Sequence, residues 1–336
     1  MSRRVLVEAA GGPEVLRLVE AAPPSPSRGA VRVRVHTAGV AFGDVMRRRG
    51  VLAPRTAFTP GYDVVGVIEE LGAGVAEAEH PLGKRVAAFM PGPGLGGYAD
   101  HVCVPAKELV PVPDALSDET AVALGLNYIT ARQLLTRIAP VQEGQRLLVH
   151  GAAGGVGTAV LDLGRRLGVE LVGTASKAKH HHLETRGCEA IDYRSEEFER
   201  VLKGRPVDVA LDPIGGSHLR RTYETLGPRG RLVAFGVSGD LGSGYRGVVA
   251  GMTHWLALKL RPDSKRVSLY NITISSGASR AHCRSDWQHL MDAAVRGELE
   301  PVIGAVVRLS EVRGAHELMD GGGVIGKVVL RCKEDV

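Results

Sequence analysis

The sequence predicts an α/β fold in which a doubly wound parallel sheet is joined to a second, β-rich domain. Two patterns support this prediction. From about residue 127 onward, short apolar strands alternate with helical segments, as in βαβ units on a parallel sheet. Residues 1 to about 125 instead contain short β-branched runs separated by clusters of Gly and Pro, which are typical of turns. A chain of 336 residues is long enough for both domains.

The same patterns predict the individual elements in order. In the first part, strands are expected at 31–36, 64–68 and 85–89, and Ser117 is typical of a helix start. In the second part, the predicted strands are 146–150, 171–174, 208–211, 231–235 and 267–274, with helices that include 155–167 and 219–226. A helix at 285–296 and strands at 302–307 and 326–330 follow near the end.

Composition excludes several classes of protein. With 44% hydrophobic and 24% charged residues, the chain is of ordinary globular type. No stretch reaches the roughly 20 apolar residues of a membrane span, and the N-terminus lacks the apolar segment of a signal peptide, so we expect a cytoplasmic protein. The net charge of +5 is spread along the chain without a nucleic-acid-binding motif, so no nucleic-acid partner is expected. The four cysteines are isolated and form no zinc-binding pair.

The strongest motif is a glycine-rich turn. Residues 146–157 read RLLVHGAAGGVG, so that an apolar strand leads through small residues into an apolar helix. Glycines permit a tight turn and let the backbone approach a pyrophosphate at the helix N-terminus. A second predicted strand, 171–174, lies where this mechanism requires it. The motif therefore predicts a Rossmann dinucleotide site, with contacts from Ala153, Gly154, Gly155 and Val156.

The end of the second strand predicts which dinucleotide is bound. An NAD site usually has Asp or Glu there, which accepts hydrogen bonds from the ribose 2′-hydroxyl. Residues 173–177 read GTASK, and a hydroxyl beside a cation suits a 2′-phosphate, to which Lys179 and Arg194 could add. We therefore predict NADPH as the cofactor; in the alternative, Lys177 is only a solvated lysine at a helix start. The expected contacts are Gly173, Ser176, Lys177 and Tyr193.

Further motifs accompany this turn in a fixed order. They are GGPEVL at 11–16, GVAFGD at 39–44, PGYD at 60–63, GGYA at 96–99, DVALD at 208–212, GG at 215–216 and GKVVL at 326–330. With them, essentially the whole chain resembles the medium-chain dehydrogenase/reductase superfamily, in its zinc-free quinone oxidoreductase (zeta-crystallin-like) branch. The layout from about 240 to 275 is most similar to the vesicle-membrane-protein-type members of that branch.

The resemblance implies a specific domain organisation. A GroES-like substrate domain would contain residues 1–124 and 277–336, and a Rossmann domain would contain residues 125–276. The active site would lie in the cleft between them, and a homodimer would form through the sheet edge at 267–274.

The resemblance also implies cofactor contacts outside the glycine-rich turn. It places nicotinamide contacts at Asn127 and Thr130, and a further cofactor contact at Lys327. Phe235 and Gly236, at the end of a predicted strand, are expected to contact the cofactor as well. From the residues alone, Asn127 and Thr130 are equally consistent with ordinary helix residues, and Lys327 with a solvated lysine.

Departures from the superfamily pattern restrict the chemistry. Its zinc-dependent members have a cysteine early in the 39–44 motif and Gly-His-Glu where this chain has Gly61-Tyr62-Asp63. The cysteine, the histidine and the four-cysteine structural lobe are all missing, so no metal is expected. Quinone reductases commonly have Asn where this chain has Ala41, and often Tyr where it has Met46. An apolar substrate pocket with few polar groups is therefore expected.

Two residues are the catalytic candidates. Tyr62 takes the position of a zinc ligand and could donate a hydrogen bond to an enolate or hydroquinone oxygen. In the alternative, it is a tyrosine packed beneath the cleft. Asp44 is the second candidate, although a helix-capping role is favoured for it.

Together these inferences predict a zinc-independent, NADPH-dependent oxidoreductase that transfers hydride to a quinone or an α,β-unsaturated carbonyl compound. The alternatives are a biosynthetic enoyl reductase and a weakly catalytic, vesicle-associated NADPH-binding protein. The last is motivated by an amphipathic segment at 247–260, for which a lid or dimer element is nevertheless favoured over a membrane-surface helix. Three consecutive histidines at 180–182 cannot share one helix face, so no metal site is expected there.

Overall fold

A computed structural model describes residues 1–51, 57–90, 96–237, 239, 244–272 and 277–333, with the backbone alone at 244–248 and 277–280. The chain divides into two compact units, one formed by Met1–Ile129 with Gly277–Val336 and the other by Thr130–Ser276. The first division falls five residues after the predicted boundary at 124/125. Among the described residues, no helix is both long and apolar enough to cross a membrane.

The described part of the chain forms these elements. The strands are β1 Ser2–Leu6, β2 Arg17–Ala21, β3 Ala30–Val40, β4 Asp63–Leu71, β5 Arg85–Phe89, β6 His101–Pro105, β7 Leu109–Pro111, β8 Arg146–His150, β9 Glu170–Ala175, β10 Cys188–Asp192, β11 Val207–Asp212, β12 Leu226–Ala234, β13 Arg266–Leu269, β14 Ile303–Arg308 and β15 Lys327–Arg331. The α-helices are α1 Phe42–Arg48, α2 Asp118–Ala123, α3 Leu126–Gln133, α4 Gly155–Arg166, α5 His180–Glu184, α6 Phe198–Val201, α7 His218–Glu224, α8 Gly244–Lys259, α9 Gly277–Val295 and α10 Val312–Asp320.

The first unit is built on a seven-stranded sheet with the order β14-β15-β3-β4-β5-β7, in which β6 also pairs with β3. Alternate residues of β3, namely Val31, Val33 and Val35, are buried in its apolar core, which confirms the predicted alternation. β15 pairs antiparallel with β3, and β14 pairs parallel with β15. The last strands of the chain therefore complete a sheet begun near its start. Ser117 caps α2, as predicted, by accepting a hydrogen bond from the Thr120 N–H.

The second unit contains a six-stranded parallel sheet with the order β10-β9-β8-β11-β12-β13. The direction of winding reverses between β8 and β11, which makes this pair the topological switch point where open α/β sheets bind ligands. Leu148, Val172 and Leu232 belong to its buried core, against which Trp255 and Leu258 of α8 also pack. This sheet, together with the β-rich unit, confirms the predicted fold class.

Several elements differ from the sequence prediction, among them β13, α9 and β10. The strand expected at 267–274 ends at Leu269, because Tyr270 turns inward and its buried hydroxyl donates to Gln133 Oε1 at 2.9 Å; residues 273–276 lie outside the described residues. The helix expected from 285 already begins at Gly277, and the Ser285 hydroxyl does not cap it but donates to the His282 carbonyl within it. β10 was not predicted, since CEAID lacks a clear alternation.

Candidate active site

The glycine-rich turn joins β8 to α4 at the switch point. Gly151 has φ +64°, in the left-handed region that glycine adopts without strain. A Cβ on Gly157 would collide with the Gly151 carbonyl oxygen, so a glycine is also required there for the close approach of turn and helix. Gly154 is the N-cap of α4, and no side chain caps the helix. The N–H groups at the start of α4 are thus suited to bind an anion.

The residues predicted to contact the cofactor at this turn lie together. Gly154 is exposed, Gly155 and Val156 are half-buried, and Ala153 is buried beneath them. Gly173 lies in β9 directly under the turn, where a Cβ would come 2.6 Å from the Cβ of Ala152. Gly173 therefore permits close packing of the strand against the turn. Whether these residues contact a cofactor stays a prediction.

Basic side chains surround the end of β9. Ser176 is the N-cap of the 3-10 turn Lys177–Lys179, and Lys177 is exposed. Burial and the neighbouring charge of Arg194 lower the pKa of Lys179, which places these two cations close together. Tyr193 is 56% exposed, and the Arg194 guanidinium lies 5.9 Å from its ring centroid. The adjacent ends of β9 and β10 thus form one basic surface.

Phe235 and Gly236 follow β12 on the other side of the switch point. The Phe235 N–H donates to the Asp212 carbonyl at 2.9 Å. A Cβ on Gly236 would collide with the Pro213 carbonyl oxygen, so only glycine lets the two loops approach this closely. Both residues therefore line the loop after β11. Their contact with a cofactor also stays a prediction.

Asp44, in the first turn of α1, is completely buried. Its carboxylate accepts hydrogen bonds from the Ala41 N–H at 3.1 Å, the Gly61 N–H at 2.9 Å and the Tyr98 hydroxyl at 2.9 Å. Burial raises the pKa of Asp44 to about 6, although these hydrogen bonds oppose the increase. The contacts are those of a helix cap, which is the role favoured from the sequence. A catalytic role for Asp44 stays a prediction.

Tyr62 lies beside this carboxylate and is 6% exposed. Burial, followed by the negative charge of Asp44, raises the pKa of its phenol well above the ordinary value, so the hydroxyl stays protonated. The Arg47 guanidinium lies 5.3 Å from the ring centroid. A Cβ on Gly43 would collide with the Tyr62 hydroxyl, so glycine leaves space for this oxygen. Tyr62 is therefore a neutral hydrogen-bond donor, as the predicted catalytic role requires.

A buried ion pair joins β4 to β15. Lys327 Nζ lies 3.0 Å from Asp63 Oδ2, and the two side chains are 2% and 0% exposed. The same oxygen accepts a hydrogen bond from the Leu126 N–H at 2.9 Å, at the start of α3. The alternative of a solvated Lys327 is therefore wrong. α3 also contains Asn127 and Thr130, both buried, so the ion pair anchors the helix on which these two residues lie. Cofactor contacts of Lys327, Asn127 and Thr130 stay predictions.

Comparison with known proteins places this arrangement in a family. A model described as an alcohol dehydrogenase GroES-like domain matches residues 27–114, and one described as a zinc-binding dehydrogenase matches residues 187–330. The synaptic vesicle membrane protein VAT-1 homolog of Rattus norvegicus is 33% identical over 92% of this chain and 78% of its own length. The chain belongs to the medium-chain dehydrogenase/reductase superfamily. Within it, the predicted zinc-independent, quinone oxidoreductase-like branch is confirmed.

Two further proteins similar to this chain bear on its function. The crystal structure of an Escherichia coli quinone oxidoreductase complexed with NADPH is 26% identical, covers 98% of this chain and 100% of its own, and superposes with a TM-score of 0.88. A phenolphthiocerol/phthiocerol polyketide synthase of Mycobacterium tuberculosis is 30% identical over 97% of this chain, which corresponds to 15% of that longer protein. The similarity thus extends to a free-standing oxidoreductase and to a segment of a biosynthetic enzyme.

The match to a model described as a zinc-binding dehydrogenase does not imply zinc chemistry in this chain. Ala41 and Tyr62 are buried beside Asp44, and neither side chain offers the thiolate or imidazole that holds zinc in the metal-dependent relatives. Among the described residues, one cluster has ligand atoms close enough for a metal: His150, Asp212 and His218, in the other unit.

The space between those ligand atoms is filled. The Thr222 hydroxyl lies 2.7 Å from Asp212 Oδ2 and 3.1 Å from His150 Nε2, so it hydrogen-bonds to the groups that a metal would need. The cluster is therefore a buried hydrogen-bond network. In the run 180–182, His180 is buried and bonds to the Ala175 carbonyl, while His181 is exposed, so these histidines do not converge.

Several residues of the site were missed from the sequence. Asp63 is part of the PGYD motif, but nothing in the sequence connects it to Lys327 near the other end of the chain. Thr222 lies in an ordinary amphipathic helix and gives no signal. His150 does give one, because it is a polar residue at the end of an otherwise apolar buried strand, directly before the glycine-rich turn.

Proposed function

We propose that this superfamily member is an NADPH-dependent, metal-free reductase of quinones or α,β-unsaturated carbonyl compounds. The observation that supports NADPH most directly is the basic surface at the ends of β9 and β10, which has Ser176 and Lys177 where an NAD site has a carboxylate. The similar Escherichia coli enzyme crystallised with NADPH agrees with this choice.

The residues present fit such a cofactor. The N–H groups at the start of α4 would bind the pyrophosphate, because Gly154 and Gly155 leave the backbone open there. Ser176, Lys177 and Arg194 would bind the 2′-phosphate by charge-assisted hydrogen bonds. When bound, NADPH supplies a hydride from its nicotinamide ring.

The chain's own contribution to the reaction is to orient the acceptor and supply a hydrogen bond. Tyr62 is held protonated by burial, so it would donate to the oxygen that becomes negatively charged. Ala41 and Met46 provide apolar surface in place of the polar groups common in quinone reductases, which favours a flat hydrophobic acceptor. The proton that completes the reduction would come from solvent.

The cofactor assignment is tested by removing one cation. We expect Lys177→Ala to raise the dissociation constant for NADPH on the order of tenfold, since one charge-assisted hydrogen bond is lost. Binding of NADH should change little, because it has no 2′-phosphate. Lys203→Ala, at another exposed lysine of the same unit, is the matched control. Equal weakening of both cofactors by Lys177→Ala would contradict the assignment.

The substrate class is tested by steady-state oxidation of NADPH with 1,4-benzoquinone, a simple enone and a 2-enoyl thioester. Turnover of the quinone or the enone supports the proposal. Preferential turnover of the thioester would support the alternative of a biosynthetic enoyl reductase, which the similarity to the polyketide synthase segment favours. NADPH binding without oxidation by any of the three would contradict both.

The exposed face of α8 favours a second candidate, association with a membrane surface. Val249, Met252 and Leu256 lie three and four residues apart on one face and are 46%, 43% and 49% exposed. Trp255 is a poor target for a charged substitution, because it packs against the core of the sheet. Co-sedimentation with anionic liposomes should therefore be compared between the wild type and Met252→Asp. Loss of binding in the variant would support this candidate, and no binding by the wild type would exclude it.

We also propose a homodimer formed through β13. This strand is the edge of the parallel sheet, and Leu269 is 48% exposed there. Among the described residues no further strand pairs with β13, and a sheet edge with apolar side chains is a surface that a second copy can extend. Light scattering should show a dimer for the wild type and a monomer for Leu269→Asp; a monomeric wild type would contradict the proposal.

A further inference from the structure

A series of buried, hydrogen-bonded polar side chains lies directly beneath the glycine-rich turn. His150 ends β8, Asp212 ends β11 and Thr222 lies in α7, with exposures of 1%, 0% and 0%. Thr174, in β9, is 2% exposed. Burying these groups is more costly than burying apolar side chains unless every donor and acceptor is satisfied. Their hydrogen bonds therefore need to form one consistent network.

The distances show such a network. The Thr222 hydroxyl is 2.7 Å from Asp212 Oδ2 and 3.1 Å from His150 Nε2. On the other side of the imidazole, His150 Nδ1 is 3.1 Å from the Thr174 hydroxyl. The Thr174 hydroxyl oxygen in turn accepts the Gly151 N–H at 3.3 Å. The network thus runs from a carboxylate to the first N–H of the turn.

The carboxylate determines the direction of every hydrogen bond. Burial alone would raise the pKa of Asp212, but the hydrogen bond from His218 and other contacts lower it to about 2, so this group only accepts. Thr222 must then donate to Asp212 and accept from His150 Nε2–H. The opposite nitrogen, Nδ1, consequently accepts from the Thr174 hydroxyl, whose oxygen is left to accept from Gly151.

Two other contacts of the Thr222 hydroxyl compete with these hydrogen bonds but do not reverse their directions. The Thr222 hydroxyl is also 3.2 Å from the His218 carbonyl, but the carboxylate is closer and charged, so it is the stronger acceptor. His218 Nδ1 is 3.3 Å from the Thr222 hydroxyl, but it lies 2.8 Å from Asp212 Oδ2 and donates its proton there, so it cannot accept from Thr222. Burial lowers the pKa of His150 to about 3, so its imidazole is neutral and has one nitrogen available as an acceptor.

The other carboxylate oxygen holds the second loop of the switch point. Asp212 Oδ1 accepts the N–H groups of Ile214 at 2.8 Å and Gly215 at 3.0 Å. We infer that Asp212, acting through Thr222, His150 and Thr174, positions the first peptide of the glycine-rich turn and thereby sets the affinity for NADPH. This inference rests on the proposed NADPH binding. His150 is a positioning residue in it, with no contact to the reacting atoms.

The first test needs no variant in the network. Nitrogen-15 NMR of histidine-labelled holo and cofactor-free protein reports which imidazole nitrogen carries the proton. We expect His150 as the neutral Nε2–H tautomer at pH 7, with its signal assigned by its absence in His150→Gln. A charged imidazole, or the Nδ1–H tautomer, would overturn the inference whether or not NADPH binds.

The second test separates the hydroxyl from the shape of the side chain. Thr222→Val removes the hydroxyl at nearly constant volume, and Thr222→Ser retains it. We expect the apparent dissociation constant for NADPH to rise about tenfold in Thr222→Val. This corresponds to a variant in which the turn adopts its binding position only about one tenth of the time. Thr222→Ser should stay within about twofold of the wild type, because the hydrogen bond is kept.

Turnover provides a readout that a purely structural role would not move. Thr222→Val should raise the KM for NADPH and leave kcat at saturating NADPH unchanged. Equal affinity in Thr222→Val and wild type, or equal loss in both Thr222 variants, would overturn the inference. If Thr222→Val does not fold, Thr174→Val and Thr174→Ser test the same relay at its other end. A wild type that does not bind NADPH would instead contradict the proposed function, while the tautomer measurement would still decide the relay.

Discussion

The buried carboxylate of Asp44 makes a quantitative prediction about stability. Its pKa is raised from 3.8 to about 6 by complete burial. The folded state therefore holds a proton on Asp44 more tightly than the unfolded state does. The stability that this proton provides is fully present below pH 3.8 and is lost as the pH rises through 6.

The magnitude follows from the shift. A difference of about 2.2 pKa units, at about 1.36 kcal/mol per unit, corresponds to about 3 kcal/mol. The Asp44→Asn variant lacks this titrating carboxyl but keeps every other titratable group of the protein, so the pH dependence of those groups cancels in the comparison. Because more than half of the unfolded-state carboxyl is already ionised at pH 4, the free energy of unfolding of the wild type minus that of Asp44→Asn should fall by about 2.4 kcal/mol between pH 4 and pH 7.

The assay should follow the unit that contains Asp44. Trp287 is fully buried in that unit and donates to the Ala121 carbonyl, and it becomes the sole tryptophan in a Trp255→Phe background. Urea unfolding of both proteins, followed by its fluorescence across this pH range, gives the difference. Asp114→Asn, at an exposed carboxylate, is the control and should show a much smaller dependence. A difference that is constant or that grows with pH would refute the reasoning.

Two further predictions concern packing and charge. Lys327→Met should destabilise the first unit by about 3–5 kcal/mol in urea unfolding, because the Asp63 carboxylate is left buried without its partner. Adding Asp63→Asn should recover part of that loss, and a fully additive double variant would contradict the ion pair. Gly173→Ala should lower the free energy of unfolding by about 1–3 kcal/mol and weaken NADPH binding, because its Cβ would press on Ala152. Gly314→Ala, within a helix and facing open space, is the control and should be neutral or slightly stabilising.

The sequence was most informative where local rules apply. The glycine-rich turn was predicted because a tight left-handed turn at Gly151 and the close approach at Gly157 each require glycine. The strands at 85–89 and 146–150 were predicted to the residue, since each is a short apolar run between turns. The capping role of Asp44 was also accessible, because an N-cap signature depends on residues three positions apart.

The sequence was least informative where distant parts of the chain meet. Lys327 contacts Asp63 only because β15 returns to β3 and β4, and no local pattern distinguishes a buried lysine from a solvated one. The edge strand was predicted too long, because the apolar Tyr270 and Ile272 continue its pattern although the chain has turned into the core. Thr222 becomes significant only when α7 brings it between Asp212 and His150.

The pairing of β15 with β3 also constrains the order in which the chain can fold during synthesis. β3 obtains its partner β15 only when residues 327–331 have been made, whereas every strand of the six-stranded sheet lies within 146–269. The second unit, which contains the six-stranded sheet, can therefore fold on the ribosome while β3 of the first unit still lacks its partner strand. Long-range pairing of this kind is slow and leaves the edge of β3 exposed until β15 has been made. Chaperone binding and aggregation should therefore concentrate at the N-terminal strands.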